Sequence, residues 1–284
     1  MSSTSCLTVC LCIEDLDSGI CDILINQLAT GYLFGLDQNI HLMLQSSDDL
    51  VKLEDLRLDV QDCAYPRILE ISCHQTFSDM AYSPDIILVV LSNRSFPYMT
   101  DTPTQEQFQR LLGLVHYMTQ LSEWMSVLQL STSKIIVAGD LALTAASILS
   151  QKLNKLTAMQ LMAIDAQQPR SFAKETTGCY CKANRLCETV KQWWSGISTS
   201  ALTFLGMKYT SGARGTPKNQ DSSYFFSTPV SLIEPMKFVT SSDIHIDLDH
   251  VVEVKATTDK AFRIVQEMNR TNNKTSSFLC LANL

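Results

Sequence analysis

Apolar strand-like runs alternate with amphipathic helical segments through the first half of the sequence. "PDIILVVLS" and "SKIIVAG" are continuous β-rich runs, a pattern typical of strands buried on both faces. Three shorter segments also read as strands, namely "LTVCLCI", "NIHLMLQ" and "EISCH". Helical spacing marks "GICDILINQLATGYLF", "LEDLRLDVQDCA" and "TQEQFQRLLGLVHYMTQLSEWM" between them. This rhythm predicts an α/β fold with a doubly wound parallel sheet.

The pattern changes after Gly139. Two helices are predicted, in "LALTAASILSQKLNKL" and "KANRLCETVKQWWSG". "ALTFLGMKYTSG", "SYFFSTPVSLIE" and "MKFVTSS" then predict three strands of an antiparallel meander. A last helix runs through "DHVVEVKATTDKAFRIVQEMNR", with Asp249 as its expected N-cap. We predict two domains, residues 1–145 and a smaller α+β unit of residues 146–284.

Composition excludes several classes of partner. The 284 residues carry a net charge of −7 and an isoelectric point near 5.2, which argues against nucleic acid or an anionic membrane as the main partner. Residues 1–13 lack a basic segment, and no apolar run is long enough to span a bilayer, so we expect a cytoplasmic protein. Without a signal peptide, its ten cysteines are expected to be reduced. No paired C-x-x-C motifs indicate zinc, so these cysteines are interpreted as structural.

The five histidines give weak catalytic signals. His41, His74 and His116 are each interpreted as ordinary surface or core residues. "SSDIHIDLDH" brings together four metal-ligating side chains, those of His245, Asp247, Asp249 and His250. A metal site there is the alternative; an exposed strand end followed by an acidic helix N-terminus is the favoured interpretation.

Several segments together resemble one enzyme family. They are "LFGLDQNIHLML", "LRLDVQDCAYP", "KIIVAGD", "WWSGISTSALTFLGM" and "FFSTPVSLIEPMKFV", in that order. The sequence resembles cytosolic-type malate dehydrogenases, and within them the divergent B-type branch. This resemblance implies a Rossmann-like domain, normally NAD-binding, followed by a shortened substrate domain.

The cofactor positions implied by the resemblance have changed. The family's glycine-rich turn corresponds to Asp15-Leu16-Asp17-Ser18-Gly19, so Asp15 and Ser18 replace glycines. A carboxylate 4 Å from a phosphate costs roughly 4 kcal/mol at an effective dielectric constant of 20. The acidic residue that contacts the ribose corresponds to Ser46, or to Gln45 in a shifted register, with Asp48 and Asp49 as displaced alternatives. NAD is therefore implied by family resemblance only, and we expect no cofactor.

The substrate positions have changed as well. Leu91 replaces a glycine, Arg94 is a weak candidate for substrate binding, and Asp140 and Leu143 replace two asparagines. The family's second substrate arginine and catalytic aspartate correspond to Ile164 and Ala166, with Asp165 and Arg170 as displaced alternatives. The segment that bears the family's catalytic histidine has no counterpart, so we predict no catalytic residue.

Two functional hypotheses follow. The first is a catalytically inactive relative that acts as a structural or interaction module with protein partners, as a dimer or in an axonemal assembly. The B-type resemblance implies sperm flagella or cilia as its location. The second is a residual NAD-dependent malate dehydrogenase that interconverts malate and oxaloacetate.

Overall fold

The structure is a computed structural model. It describes residues 6–47, 49–80, 83–91, 104–128, 132–153, 156, 160–165, 179–196, 203–208, 224–240 and 248–281. The strands are β1 (Leu7–Ile13), β2 (Ile40–Ser46), β3 (Ile68–His74), β4 (Ile86–Val90), β5 (Lys134–Gly139), β6 (Leu161–Asp165), β7 (Thr203–Lys208), β8 (Phe225–Glu234) and β9 (Lys237–Thr240). The α-helices are α1 (Ile20–Ala29), α2 (Leu50–Asp62), α3 (Gln105–Val127), α4 (Ala142–Lys152), α5 (Cys179–Ser195) and α6 (Leu248–Leu281). Short 3-10 helices span Leu16–Ser18 and Phe77–Asp79.

All nine strands form one sheet, in the order β3-β2-β1-β4-β5-β6-β7-β8-β9. The first six are parallel and the last three run antiparallel. The predicted doubly wound sheet and the predicted antiparallel meander are both confirmed. The sequence pattern did not reveal β6, a five-residue strand that pairs with β5 on one side and with β7 on the other.

The sheet continues without a break across residue 145, where the sequence places a domain boundary. Ile135 of β5 lies opposite Leu161 of β6, and Ala163 of β6 lies opposite Gly206 of β7. The two proposed units therefore share one hydrogen-bonded sheet, and their division stays a prediction.

Helices cover both faces of the sheet, which gives two hydrophobic cores. One core joins the sheet to α1, α2 and α5, and the other joins it to α3, α4 and α6. β1 divides its side chains between the two cores by alternation: Val9 and Leu11 enter the first, and Cys10 and Cys12 enter the second. Burial on both faces explains why the strands read as continuous apolar runs.

Among the described cysteine side chains, four are buried as the structural interpretation expects, two are half-buried and one is exposed. Cys10, Cys12, Cys21 and Cys187 are buried, whereas Cys63 is exposed, and the described cysteine side chains form no disulfide. Burial, helped by Glu188, raises the pKa of the Cys187 thiol to about 12. Such a thiol stays protonated at neutral pH and packs as a small apolar side chain.

Helix α6 corrects one prediction about a helix end. The helix begins at Leu248, so Asp249 lies in its first turn and is not the N-cap. An acidic residue in that turn still interacts favourably with the helix dipole. Among the described helices, none is long and apolar enough to cross a membrane.

Gly139 is required where β5 ends. Its φ of 116° lies in the region that side chains disfavour, and a Cβ there would lie 2.6 Å from the Leu91 carbonyl oxygen. We expect Gly139→Ala to lower the free energy of unfolding by about 2–4 kcal/mol, measured by urea denaturation. Gly113 of α3 is the matched control, because a Cβ there meets nothing within 4 Å. Gly113→Ala should stabilise the protein by about 0.5–1 kcal/mol, and equal effects at the two positions would contradict this account.

Candidate functional site at the carboxyl edge of the sheet

The candidate site residues meet at one edge because parallel strands end together. Ile13 lies opposite Ser46 on one side and opposite Val90 on the other, and Gly139 lies opposite Asp165. The strand order reverses between β1 and β4, the point at which open α/β sheets form a ligand crevice. The turn that follows β1 is therefore the first place to look for a binding site.

That turn uses its own carboxylate as a cap. Asp15 is buried, and its Oδ1 accepts a hydrogen bond from the Asp17 N–H at 3.2 Å. Ser18, described in its backbone only, ends the 3-10 helix, and Gly19 enters α1 with a φ of 66°. Dinucleotide-binding proteins offer such backbone N–H groups to a pyrophosphate. Here one of those donors already binds a carboxylate of the protein.

Cations of the protein neutralise the neighbouring acids. Arg110 of α3 binds Glu14 through two contacts of 2.8 Å, with both side chains mostly buried. Lys52 of α2 binds both oxygens of Asp17 at 2.8 and 2.9 Å. These cations offset part of the negative charge of the turn, and the sequence of the turn itself does not reveal them. The turn is nevertheless tied to α2 and α3 by side chains of the protein.

The end of β2 presents neutral groups. Ser46 is fully buried, and the Gln45 side chain accepts a hydrogen bond from the Tyr117 hydroxyl at 3.0 Å. Asp49, a displaced candidate for ribose binding, instead accepts the Val51 N–H at 2.9 Å and so caps α2. Residue 48, the other displaced candidate, lies outside the described residues.

The ends of β4 and β5 are closely packed. Leu91 and Leu143 are fully buried, and Asp140 is 2% exposed. Arg94, the weak substrate-binding candidate, lies outside the described part of the chain. Without Arg94, Asp140 is the one charged side chain among these predicted site positions.

The end of β6 holds a carboxylate–imidazole pair. Asp165 Oδ2 lies 3.4 Å from His250 Nε2 of α6, and the two side chains are 4% and 11% exposed. Arg185 of α5 lies close enough for Asp165 to raise its pKa, although burial lowers that pKa more strongly. Ile164, one of the family-aligned positions, points into a core instead. The other two candidates near β6, Ala166 and Arg170, fall outside the described residues.

The sequence marks Asp165 and His250 as separate candidates, and nothing in it predicts that their side chains lie side by side. It assigned His250 to a metal hypothesis together with His245 and Asp247, which the structure does not describe. In the described residues, no cluster of three His, Cys, Asp or Glu side chains could hold a metal ion. Only the fold brings α6 to β6, so no spacing signal could have revealed the pair.

The remaining histidines have ordinary surroundings. His41 Nδ1 lies 3.8 Å from Glu70, and His116 Nε2 lies 3.2 Å from the Gln120 amide nitrogen. Ser72 bonds to His74 at 2.9 Å, and burial lowers the His74 pKa despite the opposing effect of Asp79. His74 ends β3 opposite Gln45, whereas His41 lies near the start of β2 and His116 lies on α3. Their interpretation as ordinary residues stays a prediction.

Comparison with known proteins identifies the fold. No protein-family model and no curated protein sequence matches this chain. Malate dehydrogenase from Naegleria fowleri has a similar structure, with a TM-score of 0.69, 13% identity, and coverage of 91% of this chain and 97% of the other. A variant of Trichomonas vaginalis lactate dehydrogenase in its apo form has a TM-score of 0.70 and 12% identity, with coverage of 93% of this chain and 100% of the other. The same organism's lactate dehydrogenase in complex with NADH and oxamate has a TM-score of 0.67 and 12% identity, with coverage of 94% of this chain and 99% of the other.

These similarities define the class of fold. The protein has the Rossmann-type architecture of lactate and malate dehydrogenases along nearly its whole length. Identities of 12–13% establish the fold alone, because one fold can carry many functions. This finding supports the fold, and it does not extend to the B-type branch expected from the sequence.

The Glu14–Arg110 pair predicts a measurable stability difference. Arg110→Gln leaves the mostly buried Glu14 carboxylate without its guanidinium and should cost about 1–3 kcal/mol of unfolding free energy. Lys52→Gln is the matched control, because Lys52 and Asp17 are 48% and 66% exposed. That change should cost less than about 1 kcal/mol, since exposed pairs contribute little. Urea denaturation measures both, and an Arg110→Gln loss no larger than that of Lys52→Gln would refute the role given to this pair.

Proposed function

We propose that this protein is a catalytically inactive, malate dehydrogenase-like pseudoenzyme that acts as a structural or interaction module. Its fold would be retained as a scaffold while the cofactor and substrate sites were lost. In this proposal residues 1–145 form the degenerate NAD-binding-type unit, and residues 146–284 form the shortened substrate-type unit.

The observation that carries the proposal is the hydrogen bond within the turn after β1. Asp15 Oδ1 accepts a hydrogen bond from the Asp17 N–H, which is a donor of the kind that would bind a pyrophosphate. A phosphate oxygen would have to displace this carboxylate and then lie beside it. Asp15 is 8% exposed, so moving it would also disturb packed surroundings. Cofactor binding at this turn would therefore require rearrangement of the turn itself.

Two further positions support the loss of NAD binding. Ser46 has no carboxylate for a ribose, and the nearby Asp49 carboxylate caps α2. A ribose hydroxyl would then lack the acidic acceptor that usually fixes it at the end of the second strand. These features are independent of the Asp15 cap, so the turn and the ribose position would each weaken NAD binding.

The proposal includes a location and a class of partner. A malate dehydrogenase-like module of the B-type branch would bind other proteins in the cytoplasm, with a sperm flagellum or cilium as its site. This part rests on sequence resemblance alone. Imaging of the tagged protein in ciliated cells tests it: axonemal signal supports it, and signal confined to the cell body contradicts it.

Thermal unfolding with NADH tests the loss of the cofactor site. A ligand at about 100 times its dissociation constant stabilises a protein by about 2.7 kcal/mol. For a chain of this size that free energy shifts Tm by several degrees. We expect millimolar NADH to leave Tm unchanged. A shift of that size for the native chain would overturn the proposal.

The double variant Asp15→Gly, Ser18→Gly is the matched comparison. It removes the capping carboxylate and restores glycine at both changed positions of the turn. Stabilisation of this variant by NADH, with none for the native chain, would identify the side chains of the turn as the block. An unaltered Tm for both would indicate that the ribose position also prevents binding.

A second candidate function is a residual NAD-dependent malate dehydrogenase. The specific observation that favours it is the Asp165–His250 pair at the carboxyl edge. An imidazole beside a buried carboxylate can accept and donate a proton, which is the task of a general acid–base catalyst. NADH and oxamate are the ligands of the Trichomonas vaginalis lactate dehydrogenase of similar fold. In this alternative, His250 would supply proton transfer and Asp165 would orient it.

His250→Asn separates the two candidate functions. For a pseudoenzyme, the native chain and the variant should both show no oxaloacetate-dependent oxidation of NADH. For a residual enzyme, the native chain should be active and the variant should lose about 10²–10⁴-fold in kcat. His116→Asn, a change at an exposed helical histidine, is the control. Activity that is present in the native chain and lost only in His250→Asn would favour the second candidate.

A further inference from the structure

Two cysteines of β1 place their sulfur atoms together on one face of the sheet. Cys10 and Cys12 are two residues apart in the strand, so alternation directs both side chains into the core shared with α3. Their Sγ atoms are 3.6 Å apart, and both side chains are fully buried. The fold therefore holds two thiols in contact inside this core.

A methionine completes a group of three sulfur atoms, which we call the three-sulfur cluster. Met80 Sδ lies 3.7 Å from Cys10 Sγ, and Met80 is 4% exposed. Met80 directly follows the 3-10 helix Phe77–Asp79, and its N–H donates to the Phe77 carbonyl at 3.3 Å. Phe77 in turn stacks on Trp124 of α3, with ring centroids 5.5 Å apart. Packed elements on both sides thus hold the thioether against the Cys10 thiol.

The donor atoms of the three-sulfur cluster favour a soft metal ion. Thiolates and thioethers are the ligands that select Cu(I), whereas structural zinc takes four ligands from cysteine, histidine and carboxylate side chains. Two thiols and a thioether do not provide that zinc set. The surroundings are also rich in sulfur, since Met43 lies opposite Cys10 on β2 and Met118 of α3 belongs to the same core. This chemistry matches monovalent copper.

The separations of the sulfur atoms are close to those around a single ion. A first-row metal ion lies about 2.3 Å from a coordinating thiolate, so three sulfurs in a plane around it are about 4 Å apart. The two separations of 3.6 and 3.7 Å are slightly shorter than that value. Met80 has three rotatable side-chain bonds, so its sulfur can adjust without movement of the backbone.

The same face of β1 leads from the cluster to the carboxyl edge of the sheet. The Glu14 N–H donates to the Val90 carbonyl at 3.0 Å, so the ladder continues one residue beyond β1. Glu14, Cys12 and Cys10 therefore lie in one row on this face. The Glu14 and Arg110 side chains at its outer end are 13% and 23% exposed. A cation that enters at the edge would meet this ion pair first and the thiols behind it.

We propose that Cys10, Cys12 and Met80 form a binding site for one Cu(I) ion. The two thiolates and the thioether are its ligands, and the surrounding apolar core keeps water and harder ligands away from it. Binding replaces each S–H bond by a metal–sulfur bond and releases one proton per cysteine to solvent. Copper stays monovalent throughout, so no electron is transferred. The site is separate from the scaffold function proposed above and does not depend on it.

Copper titration of the reduced full chain tests the proposal. Cu(I) is supplied with a competing bathocuproine chelator, so that weak binding to other thiols is suppressed. Native mass spectrometry should then show one copper bound and two protons lost per chain. X-ray absorption at the copper edge should show sulfur ligands at about 2.3 Å.

Sequence variants locate the metal on the chain. Met80→Leu keeps a similar volume but removes the thioether, and it should raise the Kd for Cu(I) about tenfold. Cys12→Ala removes a thiolate and should raise Kd about 100-fold or more, since even outer-shell changes cost about 10–100-fold. Cys187→Ala removes a buried thiol from the other core and is the matched control. Cys63→Ser removes an exposed thiol, and neither control should change Kd.

The variants also separate a built site from incidental binding to thiols. Met80→Leu is nearly isosteric, so it decides the result even if a cysteine variant fails to fold. An unchanged Kd in Met80→Leu, or a native chain that loses all of its copper to the chelator, would overturn the proposal. Loss of binding in Cys63→Ser would overturn it too, because an exposed thiol would then hold the metal. Equal affinity of the native chain for Zn(II) would contradict the assignment to a soft ion.

Discussion

The parallel ladder around β1 is the constraint on which the rest of the structure depends. β1 pairs with β2 on one side and with β4 on the other, and the Glu14 N–H extends the ladder to the Val90 carbonyl at 3.0 Å. This bond fixes where the chain leaves the sheet and forces the following residues into a tight turn. The turn, the start of α1 and the crevice between β1 and β4 all follow from that geometry.

Within this geometry, side chains of the protein make several contacts with one another at the carboxyl edge. Asp15 caps the turn, Arg110 neutralises Glu14, and Asp49 caps α2. Each of these interactions lies within the chain. None of Glu14, Asp15, Asp49 and Arg110 belongs to either hydrophobic core. A site of this kind can change while the fold persists.

Sequence patterns predicted local features well and long-range contacts poorly. Continuous apolar runs located β4 and β5, because burial on both faces removes polar residues. β6 was missed since five residues are too few to show a clear periodicity. The pairs Glu14–Arg110 and Asp165–His250 each join segments far apart in the sequence, and no spacing rule connects them. The charge of the turn could not be judged from its own residues, because the cations that pair with Glu14 and Asp17 come from α3 and α2.

The arrangement of strands also determines which surfaces are available for other roles. Helices cover both faces of the parallel half of the sheet, and at its carboxyl edge Glu14, Asp15 and Asp49 make contacts within the protein. The antiparallel half closes the other side with the short strand β9. β3 and β9 are the outer strands of this sheet, so each turns one row of backbone donors and acceptors away from its single neighbouring strand. The order of the strands thus decides both which residues meet at the carboxyl edge and which backbone groups face away from the sheet.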